Sequence, residues 1–480
     1  TLMTDAPAIV WFRNDLRLSD NPALLAAAAS ARTVLPVYVL DDENAGAWAM
    51  GGASRWWLHH SLKALADDIE GLGGRLVLRR GDAGAVIPDL VRETGAGAVY
   101  WNRAYERWAI DRDTAIKSAL REVGVEVRSF KGALIVEPWE IGTKQGKPYK
   151  VYTPFWRALK AAHAPADPAG RPDALTFAAP VRSNDLDAWN LTPTKPDWAG
   201  GLRETWTPGE AGAQGRLGAF IQHRMARYDT ARDLPAVTGT SGLSPHLHFG
   251  EISPRQVWWG VKRAEGGDSE AADSFLSEIG WREFSYNLLY HFPTLPDENF
   301  QGKFDRFDWT GTDEAYRAWT RGRTGYPIVD AGMRELWHTG WMHNRVRMIT
   351  GSFLIKDLMI HWRRGEAWFW DTLVDADLAS NAAGWQWVAG SGADAAPYFR
   401  IFNPVSQGEK FDPKGEYVRK WVPELKGLPD KAIHAPWTAD RAILSHAGVV
   451  LGRDYPRPIV DHAEARKRAL REFEKIKDAS

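Results

Sequence analysis

AIVWFRNDLRLSDNP occupies residues 8–22, five apolar residues followed by a polar stretch that closes on proline. A short run apolar at every position reads as a strand covered on both faces. Asp20 with Pro22 two residues later reads as the helix start that follows it. The same alternation recurs downstream. VLPVYVL (34–40), LVLRR (76–80), AVYWN (98–102) and VEVRSF (125–130) are separated by helical patterns such as NPALLAAAASA (21–31) and RWWLHHSLKALADDIEGLG (55–73). Strands alternating with helices predict an α/β domain, a doubly wound parallel sheet over residues 1–135. No Gly-x-Gly-x-x-Gly follows the first strand, so this is not the dinucleotide-binding form of that architecture. GLGG at 71–74 precedes a strand and reads as a helix stop.

Residues 136–205 are rich in Pro, Ala, Asp and Gly without sustained periodicity, and read as a long interdomain linker. From 206 to 480 helical periodicity takes over, clearest at 215–233, 273–292, 326–340 and 343–375. The second half is therefore predicted to be all-α. A chain of 480 residues accommodates this division into two or three domains.

Cys is absent, which excludes disulfides, iron–sulfur clusters, zinc–thiolate sites and a thiol nucleophile. Lys and Arg number 60 against 61 Asp and Glu, so no basic coat marks the whole chain, although one face can still be basic. No apolar run approaches a membrane span, and the first residues lack a secretion-signal layout; the expected location is the cytoplasm. Tryptophan is the outlier, with 25 residues, and is the composition feature that needs an account; most of these indoles are expected to be core and helix-packing residues.

Several stretches carry candidate chemistry. TGTSGLSPHLHFGEISPRQ (238–256) clusters hydroxyls and glycines at a helix start, which suits a phosphate but equally an ordinary capped loop. His246 with His248, and His59 with His60, lack the spacing of metal ligands, and no metal is expected. In SEIGWREF, Glu278, Trp281 and Arg282 share one helical face: either an exposed ion pair beside a core indole, or a carboxyl group and an indole lining a cavity. WMHNRVRM (341–348) puts Asn344, Arg347 and Met348 on one face and Arg345 on another. A buried Arg347 would require a carboxylate, and Asp375 or Asp377 is the obvious supply. In DLASNAAGWQWVAGSG (377–392), Asn381 and Trp385 lie four apart on one helical face, with Trp387 turned to the other side. The small residues between them fit a flat ligand and a tightly packed helix pair alike.

Taken together, IVWFRNDLRLSDNPAL, TGTSGLSPHLHFG, SEIGWREF, GYPIVDAGMREL, GWMHNRVRM and DLASNAAGWQWVAGSGADAAPYFRIFNP resemble the DNA photolyase and cryptochrome family over nearly the whole chain. The resemblance implies a helical domain holding FAD. It also implies a carbon–carbon lyase activity in which photoexcited reduced FAD (FADH⁻) gives an electron to a flipped-out cyclobutane pyrimidine dimer in UV-damaged DNA. On this resemblance Tyr228, Thr240, Ser241, Gly242, Leu243 and Ser244 face the flavin's phosphate and adenosine side. Asn344, Arg347, Asp375, Asp377 and Asn381 surround its isoalloxazine ring, with Asn381 next to N5. Glu278 matches the acid that hydrogen-bonds a dimer base. Trp281 and Trp387 match the walls of the dimer pocket, Met348 its floor, and Arg345 and Arg400 its phosphate or edge contacts. Trp385, Trp362 and Trp309 match an electron relay to the flavin.

Two positions depart from the family pattern. Gly242 stands where many relatives carry a basic residue, and Ala109 where folate-binding relatives often carry an acid. The expected antenna chromophore is methenyltetrahydrofolate ahead of 8-hydroxy-5-deazaflavin. The MHNRVRM segment lacks the histidine pair of (6-4) photoproduct repair. A cryptochrome-type blue-light receptor is the alternative from a different class, and a C-terminal end at EARKRALREFEKIKDAS favours the enzyme over it. A flavin-binding helical protein with no DNA role is a third reading. The implied protein is a monomer, nucleoid-associated when bound to damaged DNA.

Overall fold

The five apolar runs become strands β1 (Thr4–Phe12), β2 (Arg32–Leu40), β3 (Val77–Arg80), β4 (Ala98–Asn102) and β5 (Glu126–Phe130). They form one parallel sheet in the order β3-β2-β1-β4-β5. The computed structural model describes residues 4–398 and 400–477. Residues Ala8 to Phe12 are all buried, so β1 is covered on both faces, as an uninterrupted apolar run requires. Ile9, Trp11, Val37, Val39, Val99 and Trp101 alternate along three strands and join one core cluster. That cluster takes in Ile87 and Leu90 of a helix at Ala83–Thr94 and Ile116 and Leu120 of another at Arg107–Glu122.

Helices in this unit are α1 (Pro22–Ala29), α2 (Gly52–Gly71), α3 (Ala83–Thr94), α4 (Arg107–Glu122), α5 (Tyr152–Ala162), α6 (Glu210–His223), α7 (Pro254–Lys262) and α8 (Glu270–His291). The expected cap of α1 is displaced by one residue. Asn21 accepts from Leu24 N, while Asp20 sits at φ 50° with its buried carboxylate accepting from Arg255 Nη2 at 2.6 Å and Ala169 N at 2.9 Å. The tight turn at Asp20 turns its side chain inward, away from the helix it precedes. α2 ends at Gly71, and Gly73 takes φ 85°, so GLGG does stop the helix.

In a doubly wound sheet ligands bind where the strand order reverses, here beyond the ends of β1 and β4. Beside that switch point the chain's own polar groups bond to one another. Asn102 Nδ2 donates to Asp15 Oδ2 (2.6 Å) and Asn21 Oδ1 (2.8 Å), and Arg13 pairs with Asp113 at 2.7 Å.

Residues 136–205 are not without helix. α5 buries Tyr152, Phe155, Trp156 and Leu159, spaced i, i+3, i+4, i+7, against α8. Gly280 permits the approach, since a Cβ there would stand 2.4 Å from Trp156. Further on, Phe177 bridges Val34 of β2, and Leu78 of β3 exchanges hydrogen bonds with Ser183 and Asn184, so this stretch covers an open sheet edge.

α8 is clamped by a buried acid. Both carboxylate oxygens of Glu283 accept from Ile135 N at 3.0 Å, and burial raises its pKa from 4.5 to about 7. Between those values the unfolded chain has lost the proton that the folded chain retains, so the contribution of Glu283 to stability is fully present below pH 4.5 and is lost as pH rises to about 7. A shift of this size corresponds to about 3 kcal/mol. Thermal melts of Glu283→Gln against the parent should show a steeper decline over this range in the parent, since Glu335 and Glu366 act in the same direction in both; parallel pH profiles would refute it.

The chain divides by contacts into two compact units. The first contains residues up to Ala199 with Arg203–Ala226 and Ser241–Pro293, and the second contains Gly200–Leu202, Arg227–Thr240 and Thr294 onward. The second unit is helical: α9 (Pro327–Thr339), α10 (Asn344–Ser352), α11 (Trp362–Thr372), α12 (Leu378–Ala389) and α13 (His462–Lys477). Pro327 opens α9 and Gly340, at φ 68°, closes it. The periodic run 343–375 is two helices. A π-turn at Phe353–Asp357 follows α10, and Met359 at φ 54° reverses the chain before α11. The 215–233 run likewise breaks after His223, giving α6 and a one-turn helix at Tyr228–Ala231.

Candidate functional site

In the helical unit, α10, α11 and α12 assemble a buried polar and aromatic cluster. Arg347 Nε donates to Met342 O (2.7 Å) and its Nη2 to Asp375 Oδ2 (2.8 Å), which selects Asp375 as the partner of the half-buried guanidinium. Asp377 instead caps α12, accepting from Ser380 N at 2.8 Å. One turn into α12, Asn381 Nδ2 donates to the carbonyl of Glu366 at 3.1 Å. A carbonyl can only accept, so the amide orientation is fixed and Asn381 Oδ1 remains an acceptor. Burial raises the Glu366 carboxyl to about 9, which keeps it neutral at physiological pH beside this amide.

Trp385 follows Asn381 by one turn and is buried. A Cβ at Gly365 would stand 2.1 Å from its ring, so glycine is what lets α11 lie against α12 here. The ring meets Phe369 edge-on at 4.9 Å and Trp319 at 6.1 Å. Trp362, fully buried, donates to Asn299 Oδ1 (2.8 Å), and both Trp362 and Trp309 contact His361, at 5.5 and 5.0 Å. Of the three indoles assigned to a relay, these two share a neighbour, whereas the ring contacts of Trp385 are with Phe369 and Trp319. Trp319 had no signal in the sequence beyond being one indole among many.

Trp387 is half-buried against the edge of the same core, on a different side of α12 from Trp385. Asn344 is exposed at the start of α10 and Met348 is half-buried on it. Arg345 pairs with Asp233 at 2.8 Å and lies over Phe411. Arg400 is exposed; its carbonyl accepts from Lys356 Nζ at 3.1 Å, and burial lowers that ammonium to about 7. Tyr228 is buried in its one-turn helix with Arg232 over its ring, and Thr240 is half-buried.

The other candidates belong to the sheet-containing unit. Glu278 and Trp281 are both half-buried on α8. Trp281 is stacked on Tyr152 of α5, with centroids 3.8 Å apart and planes at 11°, and the Tyr152 hydroxyl donates to Ser277 O at 2.6 Å. This fixes one face of the indole, a support that no helical periodicity could reveal. Arg282 turns to Ala133 O (2.8 Å) and lies 3.6 Å from Glu283. In the loop 241–244, Ser241 Oγ accepts from Leu243 N, Leu243 is buried, and Ser244 is exposed at the start of a five-residue helix. Gly242 takes φ 65°, a conformation that favours glycine.

His246 is hydrogen-bonded to Glu251, which also accepts from the Trp57 indole at 2.8 Å, a buried network between side chains of one unit. Among the described residues no group of His, Asp or Glu is placed to hold a metal ion. Among the same residues no helix is long and apolar enough to cross a membrane.

Taken by itself, the helical unit offers a fixed amide acceptor and a paired guanidinium near buried indoles, groups of the kind a flavin ring requires; the sheet-containing unit, taken by itself, offers a hydroxyl and a glycine turn on the loop 241–244, groups of the kind a phosphate requires. Comparison with known proteins agrees. A family model described as DNA photolyase matches residues 8–173, and one described as the FAD binding domain of DNA photolyase matches residues 275–475. A deoxyribodipyrimidine photo-lyase of Agrobacterium fabrum is 56% identical over 476 residues, 98% of each chain. Cryptochrome-1 of Arabidopsis thaliana is 40% identical, covering 96% of this chain and 69% of its own. The crystal structure of a bacterial class III photolyase from Agrobacterium tumefaciens superposes with a TM-score of 0.96 at 54% identity, covering 100% of this chain and 99% of its own.

Proposed function

The chain belongs to the DNA photolyase and cryptochrome family, and from that membership we propose that it is a deoxyribodipyrimidine photo-lyase acting on cyclobutane pyrimidine dimers in UV-damaged DNA. The observation that carries the reading is the orientation of Asn381. With Nδ2 committed to Glu366 O, its Oδ1 presents an acceptor, which matches a flavin carrying a proton on N5 and therefore a reduced cofactor. Bound reduced FAD would supply, on absorbing blue light, the electron that opens the dimer and takes it back afterwards.

The chain's own groups would do the rest. Asn344, Arg347 held by Asp375, Asp377 and Asn381 surround the isoalloxazine, while Tyr228 and residues 240–244 hold the phosphate and adenosine side. By the family resemblance the flipped bases are assigned to Trp281, which Tyr152 backs, and to Trp387 and Met348, and backbone phosphates to Arg345 and Arg400, so affinity should fall with salt. Glu278 donates a hydrogen bond where negative charge develops on the dimer. Trp309, Trp362 and Trp385 supply electrons to oxidised flavin. An antenna is part of the reading, methenyltetrahydrofolate ahead of 8-hydroxy-5-deazaflavin, and the spectrum of the chromophores released on denaturation identifies it. The organisation proposed is an antenna-type region (1–135), a linker (136–205) and a flavin- and DNA-binding region (206–480) in a cytoplasmic monomer.

The direct test is binding and repair of UV-irradiated oligothymidylate. Preferential, salt-sensitive binding of the irradiated strand and recovery of absorbance at thymine wavelengths under blue light are expected. A flavin-loaded protein that shows neither would instead fit the cryptochrome-type receptor. Glu278→Ala should lower the repair yield several-fold with flavin content unchanged; an unaltered yield would remove Glu278 from its role.

A further inference from the structure

Helix α6 brings a cation to the loop at residues 241–244. A Cβ built on Gly242 would stand 2.6 Å from Arg216 Nη1, so the guanidinium fills space that a side chain at 242 would take. Arg216 is held in place: its Nη2 donates to Thr205 O at 2.9 Å and the guanidinium lies 4.4 Å from the centroid of the Trp206 ring. Among the described residues no carboxylate pairs with it. Burial, with Arg224 as the charged group acting on it, lowers its pKa from the ordinary value. A half-buried guanidinium beside a second cation and without an acid is unfavourable unless an anion completes the site. The adjoining loop suits one, because Ser241 Oγ accepts from Leu243 N and so retains its O–H to donate.

We propose that Arg216 neutralises the phosphates of the flavin cofactor, supplying from α6 the charge that glycine at 242 leaves out of the loop. This rests on the flavin-binding reading above. The chemistry needed is a planar donor fork fixed by an indole on one side and a carbonyl on the other, which leaves Nη1 directed at the loop. A structural staple between α6 and Trp206 would use the same cation–π contact but would be indifferent to the ligand's charge.

The test uses the full chain stripped of flavin and titrated with FAD and with riboflavin, which has the same ring system and no phosphate. Arg216→Met is expected to weaken FAD binding by roughly tenfold to a hundredfold, the equivalent of one charge-assisted contact, and to leave riboflavin binding unchanged. Arg216→Lys should recover part of the FAD affinity, and the salt dependence of FAD binding should flatten in the Met variant alone. Equal losses for FAD and riboflavin, or no loss for either, would overturn the assignment and leave a packing role. If the unaltered chain binds neither ligand, the flavin-binding reading itself fails, and this assignment with it.

Discussion

A Trp385→Phe protein prepared with oxidised FAD should remain oxidised under blue light and external reductant, while the same protein reduced chemically beforehand should repair dimers at the parental rate. Trp385 is a buried indole one helical turn from Asn381, and a phenyl ring keeps most of its packing but has no comparably oxidisable group. Gly365→Ala provides a second, steric approach to the same ring. Its Cβ would lie within 2.1 to 2.6 Å of three ring atoms of Trp385, so the indole or α11 must shift, at about 1–3 kcal/mol for overpacking. This variant should photoreduce slowly rather than not at all, because the indole is displaced and not removed. Growth of the reduced-flavin spectrum during illumination measures both. Normal photoreduction by the Phe variant would take Trp385 out of the relay.

The contrast between these two substitutions also shows where sequence reading reaches its limit. Asn381 and Trp385 could be placed on one helical face from their spacing, but the contact with Gly365 joins residues 20 apart across a turn, and no period encodes it. The strands were legible because burial on both faces demands apolar residues at every position, and α9 was legible because Pro327 and Gly340 punctuate it. Arg347 could be expected to need an acid, and Asp375 fills that need, since a buried charge constrains its partner's type if not its number. The break at Met359 was invisible: the π-turn keeps the apolar run going, and a methionine at φ 54° gives no glycine signal. α5 was hidden for the opposite reason. Its amphipathic 11 residues lie among Pro- and Gly-rich neighbours, and its burial depends on a glycine on α8, more than a hundred residues away. Tyr152 behind Trp281 and Arg216 beside Gly242 belong to the same class of contact, set by tertiary placement alone.

Replacing Arg347 by Met should destabilise the helical unit and release its flavin. The Met side chain retains much of the apolar stem, so packing is largely preserved. What disappears is the guanidinium that bridges Met342 O and Asp375 Oδ2, and with it an ion pair to a carboxylate only 5% exposed. Removing one partner of a buried pair costs about 3–5 kcal/mol; because the Arg347 side chain is 25% exposed, the lower end applies. The melting temperature should fall accordingly, and flavin should be lost on purification, since the same guanidinium is assigned to the isoalloxazine. Asp375→Asn in the Arg347→Met background neutralises that buried carboxylate and should restore part of the stability. It should not restore flavin binding, because the cation is still missing. The double-mutant cycle therefore separates the two roles of Arg347: stability recovers with the neutralised partner, whereas flavin content follows the guanidinium. Retention of both melting temperature and flavin by Arg347→Met would mean that the pair supports neither the fold nor the cofactor.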